Sequence, residues 1–279
     1  MSSPGVSELL ELAGKDLSPT SPITDSERRG RSTRVFDLVS PRLDAVALFD
    51  EQFVQYYTGF VYHPTERPIG VVLLRGGERV LLVPRLEQEH AEQTASFERL
   101  LVYPEYPGQL HPMRILVDDL RDQRVSRLGV DHDGYPVVAG YRTYPLSQEL
   151  EVELVSPVID RQMALKSDAE LALIRESAYW GGVAHRLLQE YTRVGSHETE
   201  VVGRACKDAT ARMREWRGGA YRQLNRWING ALAIYRGQIG PNSALPHALA
   251  NDAAFSEGDT LVTGAAADAH GYLSELERT

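Results

Sequence analysis

Two carboxylates and one histidine are the residues whose types and spacing suggest chemistry. Glu275 and Glu277 lie two residues apart in the run Tyr272–Thr279. In a β-strand, alternate side chains share a face, so both carboxylates point the same way, about 6.6 Å apart along the strand. That spacing lets them serve one pocket; it equally describes the solvated face of an edge strand. His247 sits in Gly240-Pro241-Asn242-Ser243-Ala244-Leu245-Pro246-His247, a loop whose two prolines restrict the backbone. An imidazole on a rigid loop can bind ligands or move protons near neutral pH, although most loop histidines simply meet solvent. His63, His90, His111, His132, His185, His197 and His270 show no metal-ligand spacing, and neither a phosphate-binding glycine loop nor a Gly-x-Ser-x-Gly elbow occurs. Taken alone, these residues imply a pocket and leave the reaction open.

The elements that would position them must come from a chain of 279 residues, 42% hydrophobic and 25% charged. That composition is globular and excludes a collagen, a coiled coil or wholesale disorder. Its length suits one large domain or two smaller ones. No apolar run approaches the roughly 18 residues of a membrane helix, and no secretory signal pattern opens the chain. A single cysteine, Cys206, excludes an internal disulfide, and a cytoplasmic location is the expectation. With a formal charge of -9, neither nucleic acid nor an anionic membrane is an expected partner.

Residues 1–32, rich in Ser, Pro, Gly and charge, read as a flexible leader with one candidate helix at Gly5–Lys15. From residue 33 to 157 the signals alternate. Strand-length apolar runs occur at Ala45–Phe49, Phe53–Phe60, Ile69–Leu74, Val80–Val83, Leu100–Tyr103, Ile115–Val117, Leu128–Val130 and Val152–Val155. Helical candidates are Pro84–Ala95, Met113–Asp122 and Pro136–Gln148, and Gly76-Gly77 marks a hairpin turn. This is the pattern of an α/β layer domain. A boundary falls near 156–166, after which Ser167-Asp168-Ala169-Glu170 has the form of a capping box. Leu171, Ile174, Ala178, Gly181, His185 and Leu188 then mark a helical stripe, and Gly181-Gly182 suggests a close packing contact. Val201, Val202, Ala205, Cys206, Ala209 and Met213 form the inward face of a second helix. Strands are expected at Thr260–Thr263 and Tyr272–Thr279, separated by a turn at Asp268–Gly271.

The order of these segments carries a resemblance. Asn242-Ser243-Ala244-x-Pro246-His247, Gly258-Asp259-Thr260-Leu261-Val262 and Gly271-Tyr272-x-Ser274-Glu275-x-x-Arg278-Thr279 resemble the first half of the pita-bread catalytic domain of peptidase family M24, the Xaa-Pro peptidases, prolidases and creatinases. Ile159-Asp160-Arg161 through Lys166-Ser167 to Arg175 resembles that family's linker and first helix. Tyr57-Thr58-Gly59-Phe60 with Glu66-Arg67-Pro68 is similar to its creatinase-type N-terminal domain. The implied fold is a creatinase-type α/β N-terminal domain (33–157) followed by an incomplete, α+β pita-bread domain (158–279).

The resemblance implies an M24 hydrolase of Xaa-Pro peptidase type, cutting a C–N bond in a small peptide or peptide-like substrate. It also implies a homodimer in which N-terminal domains border the partner's active site. Its peptidases hold two divalent ions, manganese, cobalt or zinc, that activate a bridging water. Laid on their Asp-x10-Asp pattern, this sequence has Gly264 at the first ligand position and Glu275 at the second. Gly264 has no side chain to coordinate a metal. The remaining His and Glu ligands belong to the second half of that domain, so the expectation is a fragment, inactive by itself. Creatinase, which works without metal, offers an alternative plan: its strand also ends Leu-Glu-Arg-Thr, as Leu276-Glu277-Arg278-Thr279 does here. On that plan Glu277 binds a cationic substrate group and His247 acts as acid and base, in an amidine or amide hydrolase. Tyr272 joins His247 and Glu277 as a substrate-binding candidate. A non-catalytic chain serving dimerisation is the third reading.

Overall fold

The computed structural model describes residues 18–108 and 110–279. They form two units: residues 23–166, and residues 18–22 together with Ser167–Thr279.

The first unit contains α1 (Asp25–Leu38), β1 (Ala45–Leu48), α2 (Glu51–Thr58), β2 (Gly70–Leu74), β3 (Arg79–Pro84), α3 (Gln88–Thr94), β4 (Arg99–Tyr103), α4 (Pro112–Asp122), β5 (Arg127–Val130), β6 (Glu151–Leu154) and α5 (Ser156–Ala164). Six strands make one mixed sheet in the order β4-β3-β2-β1-β5-β6. The neighbours β1–β2 and β2–β3 are antiparallel, and the other pairs are parallel. Alternation along the strands loads both faces with apolar residues. Val46, Leu48, Val71, Leu73 and Leu81 share one core with Val35, Phe53, Tyr57 and Ile159. Ala45, Ala47, Val72 and Leu82 share the other with Met113, Leu116, Val117 and Leu120. The unit is therefore a three-layer helix–sheet–helix stack.

Several sequence expectations need correction here. The run Phe53–Phe60 is not a strand: Asp50 accepts the Gln52 N–H as an N-cap, and Gly59 closes the helix at φ 73°. The run alone contains too few less-buried positions, Gln55 and Gly59, to separate helix from strand; the helical period shows only when Glu51 and Gln52 are read with it. Ile115–Val117 is likewise helical, inside α4. Pro136–Gln148 forms only one 3-10 turn, Leu146–Gln148. Residues 25–32, expected in the leader, belong to α1, which Thr24 caps by accepting the Glu27 N–H. Residues 1–17, with the candidate helix at Gly5–Lys15, lie outside the described residues. The two units divide between Lys166 and Ser167, at the end of the interval 156–166, and α5 belongs to the first unit. There Ile159 is buried, and Gln162 accepts from the Tyr57 hydroxyl and donates to the Arg31 carbonyl.

The second unit contains α6 (Asp168–Tyr191), α7 (Glu198–Arg217), β7 (Ala231–Ile234), β8 (Thr263–Ala269), β9 (Tyr272–Leu273) and β10 (Leu276–Arg278). Ser167 and Glu170 make the expected capping box at the start of α6. The buried face of α6 is Leu173, Ser177, Trp180, Gly181, Ala184, His185 and Leu188, so the expected stripe is displaced at its N-terminal end, where Leu171 is exposed. Gly181 does make a close contact: a Cβ there would sit 3.3 Å from the Ala266 Cα, whereas Gly182 faces open space. In α7, Val201, Ala205, Ala209 and Met213 are buried as expected, and Cys206 is partly buried. Burial raises the Cys206 thiol above its ordinary pKa, which suits a packed residue rather than a reactive one. The strand expected at Thr260–Thr263 begins only at Thr263, and Tyr272–Thr279 splits into β9 and β10 around Ser274 and Glu275.

Candidate functional site

Strand β8 reads Thr-Gly-Ala-Ala-Ala-Asp-Ala, and its small side chains make the site. It pairs antiparallel with β7 on one edge and with β10 on the other, in the register Ile234–Gly264–Glu277. Paired residues share a face, so these three form one row across the sheet. Ala231, Ala233, Ala265 and Ala267 pack with the core residues of α6 and α7. On the opposite face Leu232, Ile234, Gly264, Ala266, Leu273 and Glu277 line a cleft of about 410 Å³, completed by Ile228, Arg236, Ala265, Ser274 and Glu275.

Glu275 and Glu277 both line the cleft, but the strand is interrupted at Ser274 and Glu275, and Ser274 lines the cleft as well. Glu275 is exposed. Glu277 is held by Arg236, whose Nη2 donates to both carboxylate oxygens at 2.7 and 2.8 Å. The pair fills the place a side chain at Gly264 would take: a Cβ there would lie 3.0 Å from the Glu277 Oε1 and 3.4 Å from the Arg236 Nη2.

Arg236 is aimed by the turn that follows β7. The Gln238 N–H donates to the Tyr235 carbonyl, with Arg236 at φ 56° and Gly237 at φ 70° between them, as a type I′ turn requires. Gly237 is obligatory, because a Cβ there would meet the Leu249 carbonyl oxygen at 2.1 Å. Its N–H donates to the buried Glu198 carboxylate of α7 at 2.7 Å. Arg236 itself carries the strain of a positive φ without glycine's freedom, a feature that clusters at functional sites.

Other polar groups near the sheet are already engaged. Asp268 is buried and accepts the N–H groups of Leu224, Asn225 and Gly271, fixing two loops. Burial raises its carboxyl pKa above the usual range against the lowering effect of those donors. His185 Nε2 lies 2.8 Å from the Thr263 hydroxyl, which in turn donates to the Arg278 carbonyl and so ties α6 to β8 and β10. Burial, with Arg278 and Arg186 nearby, lowers the His185 pKa.

The structure does not gather every expected residue. His247 is exposed and is not among the residues lining the cleft. Its loop is tied down by Gln238, whose amide donates to the Leu245 and Pro246 carbonyls. Tyr272 also stands outside the lining, and its hydroxyl donates to Glu170 at 2.8 Å, joining β9 to the start of α6. Arg236 was missed. Arginine is common in this sequence, and nothing in a local motif separates this one from the others; the Tyr-Arg-Gly-Gln turn after an apolar strand was the only available signal.

The residues present do not fit a two-metal centre. No three His, Cys, Asp or Glu side chains come together as a metal site among the described residues. Gly264 offers no ligand, and the Arg236 guanidinium lies 3.4 Å from where a Cβ at 264 would be. No helix among the described residues is long and apolar enough to cross a membrane.

Comparisons with known proteins give the frame. Residues 38–162 match the family model of the creatinase/prolidase N-terminal domain. The Bacillus subtilis protein named "Putative dipeptidase YkvY" is 20% identical over 237 residues, 84% of this chain and 61% of its own length. The Xaa-Pro dipeptidase from Bacillus anthracis superposes with a TM-score of 0.66 at 17% identity, covering 91% of this chain and 64% of that one. The dipeptidase PepE from Mycobacterium ulcerans gives a TM-score of 0.67 at 16% identity, covering 92% and 65%. The chain therefore spans less than two thirds of the length of each of these three proteins.

Proposed function

From a chain that carries a creatinase/prolidase N-terminal domain and has the fold of the M24 prolidases over most of its length, matching them as an incomplete pita-bread protein, we propose a hydrolase of Xaa-Pro peptidase type. The substrate is a small peptide or peptide-like molecule, and the bond cut is C–N. The observation that carries this reading is the cleft beside Gly264, walled in part by Ser274, Glu275 and Glu277 of the final segment that carried the resemblance. Its aliphatic wall of Ile228, Leu232, Ile234 and Leu273 suits an apolar side chain or a prolyl ring, and Glu275 offers a charge for a peptide amine. A cytoplasmic location and a homodimer belong to the same proposal, supported by the lone cysteine and the family frame.

The described residues alone do not make a metallopeptidase site, so the chain by itself is expected to bind Xaa-Pro dipeptides without turning them over. The test is a nuclear magnetic resonance titration with Ala-Pro and Leu-Pro against the reversed Pro-Ala and Pro-Leu, alongside a hydrolysis assay. Selective binding of the Xaa-Pro order, weakened by Ala266→Leu in the cleft floor, supports the reading. Equal binding of both orders, or none, refutes it. Measurable hydrolysis would refute the expected inactivity.

One observation favours a second reading. Glu277 already holds a guanidinium and Gly264 supplies no ligand, as the metal-independent creatinase plan requires. On that plan Glu277 receives a cationic group of the substrate, and His247 serves as acid and base once brought to the cleft. Hydrolysis insensitive to chelator, with kcat reduced about 10²-fold or more by His247→Ala, distinguishes this plan from the peptidase.

A further inference from the structure

Arg236 has three features that structural packing does not require together. Its backbone adopts a positive φ in a turn anchored by a buried carboxylate. Its Nη2 is chelated by both oxygens of Glu277. Its Nε is buried with no hydrogen-bond partner. The guanidinium stands over Gly264, where the absence of a side chain leaves room for it: any Cβ at 264 would be crowded by both members of the pair.

We propose that Arg236 is the resident cation of this cleft, occupying with Glu277 the place that a divalent ion and its carboxylate ligand would need, so that the site is built to exclude metal. A carboxylate whose two oxygens chelate a guanidinium nitrogen has lost its best lone pairs for a metal. An ion approaching Glu277 would also meet the positive charge of Arg236 at contact distance, a repulsion that solvent partly screens because both side chains are about a third or more exposed. Glu275 then remains as one exposed carboxylate, and hard divalent ions need several oxygen ligands for stable binding. Glycine at 264 and arginine at 236 are thus a matched pair: either one alone would leave a clash or a gap.

This inference rests on the M24-like frame for the placement of Gly264, but its test needs no substrate. Purified full chain is titrated with Mn²⁺, with the free ion followed by electron paramagnetic resonance. Co²⁺ and Zn²⁺ are checked by metal analysis after dialysis. The unmodified chain is expected to retain no stoichiometric ion. Arg236→Gly, which also relaxes the positive φ, frees Glu277 and should tighten Mn²⁺ binding at least tenfold; Glu277→Gln in the same background should remove the gain. Arg236→Lys keeps the charge and should remain refractory. A stoichiometric, chelator-removable ion on the unmodified chain overturns the proposal, as does an Arg236→Gly variant that binds no better or a gain that survives Glu277→Gln. None of those results bears on Xaa-Pro binding, so a failure here and a failure of the peptidase reading remain distinguishable.

Discussion

Two adjacent glycines in α6 provide a controlled test of how closely the helix must approach the cleft floor. Gly181 and Gly182 share the same backbone, helix and solvent conditions, but a Cβ at 181 would lie 3.3, 3.4 and 3.5 Å from the Cα, C and N of Ala266, while at 182 it would meet nothing within 4 Å. Replacing glycine by alanine in a helix interior gains about 1 kcal/mol from reduced backbone entropy in the unfolded chain. Gly182→Ala should therefore stabilise the second unit by about 0.5–1 kcal/mol. Gly181→Ala has the same gain, offset by an overpacking cost of about 1–3 kcal/mol, because the obstructing atoms are backbone in a sheet strand and cannot rotate away. The two variants should differ by about 1–3 kcal/mol, with Gly181→Ala neutral to destabilising. The assay is denaturant unfolding followed by tryptophan fluorescence. All three tryptophans, Trp180, Trp216 and Trp227, lie in the second unit, and buried Trp180 occupies the same helix face as Gly181. Signals from the first unit therefore do not mix into the transition, which matters where two units need not unfold together. Equal stabilisation by both alanines would refute the close approach of α6 to β8, and with it the geometry of the cleft floor.

The other predictions use the same second unit. Ser167→Ala removes half of the capping box and should cost about 1 kcal/mol, read from the same fluorescence transition. Glu198→Ala deletes the acceptor of the buried Gly237 N–H and should cost about 1–3 kcal/mol, whereas Glu198→Gln, which keeps an acceptor oxygen, should cost less; the comparison is made at neutral pH. Burial, with Arg217 and Arg222 nearby, pushes the His270 pKa down to about 4, and His185 shifts in the same direction. A depressed histidine pKa means the unfolded chain binds more protons, so their contribution is complete above the ordinary histidine value and is lost as pH falls from about 6.5 toward 4. The unfolding midpoint should drop across that window, and His270→Asn, which tolerates the positive φ at 270, should flatten the drop.

The sequence made legible what depends on local pattern. The capping box, the Gly76-Gly77 hairpin and the face of α7 all follow from spacing. What failed was decided by surroundings. Phe53–Phe60 taken alone hides the period of α2, whose less buried residues Glu51, Gln52 and Gln55 lie on one side of the helix and mostly precede the run. Leu171 matched the helical stripe but is exposed, and the buried face begins instead with Glu170, Leu173, Glu176 and Ser177, three of them polar. Glu176 is paired inside the unit with Arg217, a contact 41 residues apart that no local window contains. Arg236 and Glu277 are likewise 41 residues apart, and their meeting depends on the register of β7 and β10 across β8. Tyr272 was assigned to substrate by position in a motif; alternation had already placed it on the side away from Glu275 and Glu277, where Glu170 receives its hydroxyl.

A single run of small residues accounts for both the packing and the cleft. On one face of β8, Ala265 and Ala267 let α6 and α7 approach closely, and Gly181 answers Ala266 from the helix side. On the other face, Gly264 and Ala266 leave an unfilled row between the larger side chains of β7 and the acidic end of the chain. A strand of valine or isoleucine would bury more apolar surface, at roughly 0.8 kcal/mol per added methylene, but would lift the helices on one side and fill the cleft on the other. The stability forgone by β8 must come from its neighbours, and the largest fully buried side chain is Trp180 on α6. The cleft is therefore a consequence of side-chain size at every second position, and a guanidinium enters it only because residue 264 has no side chain at all.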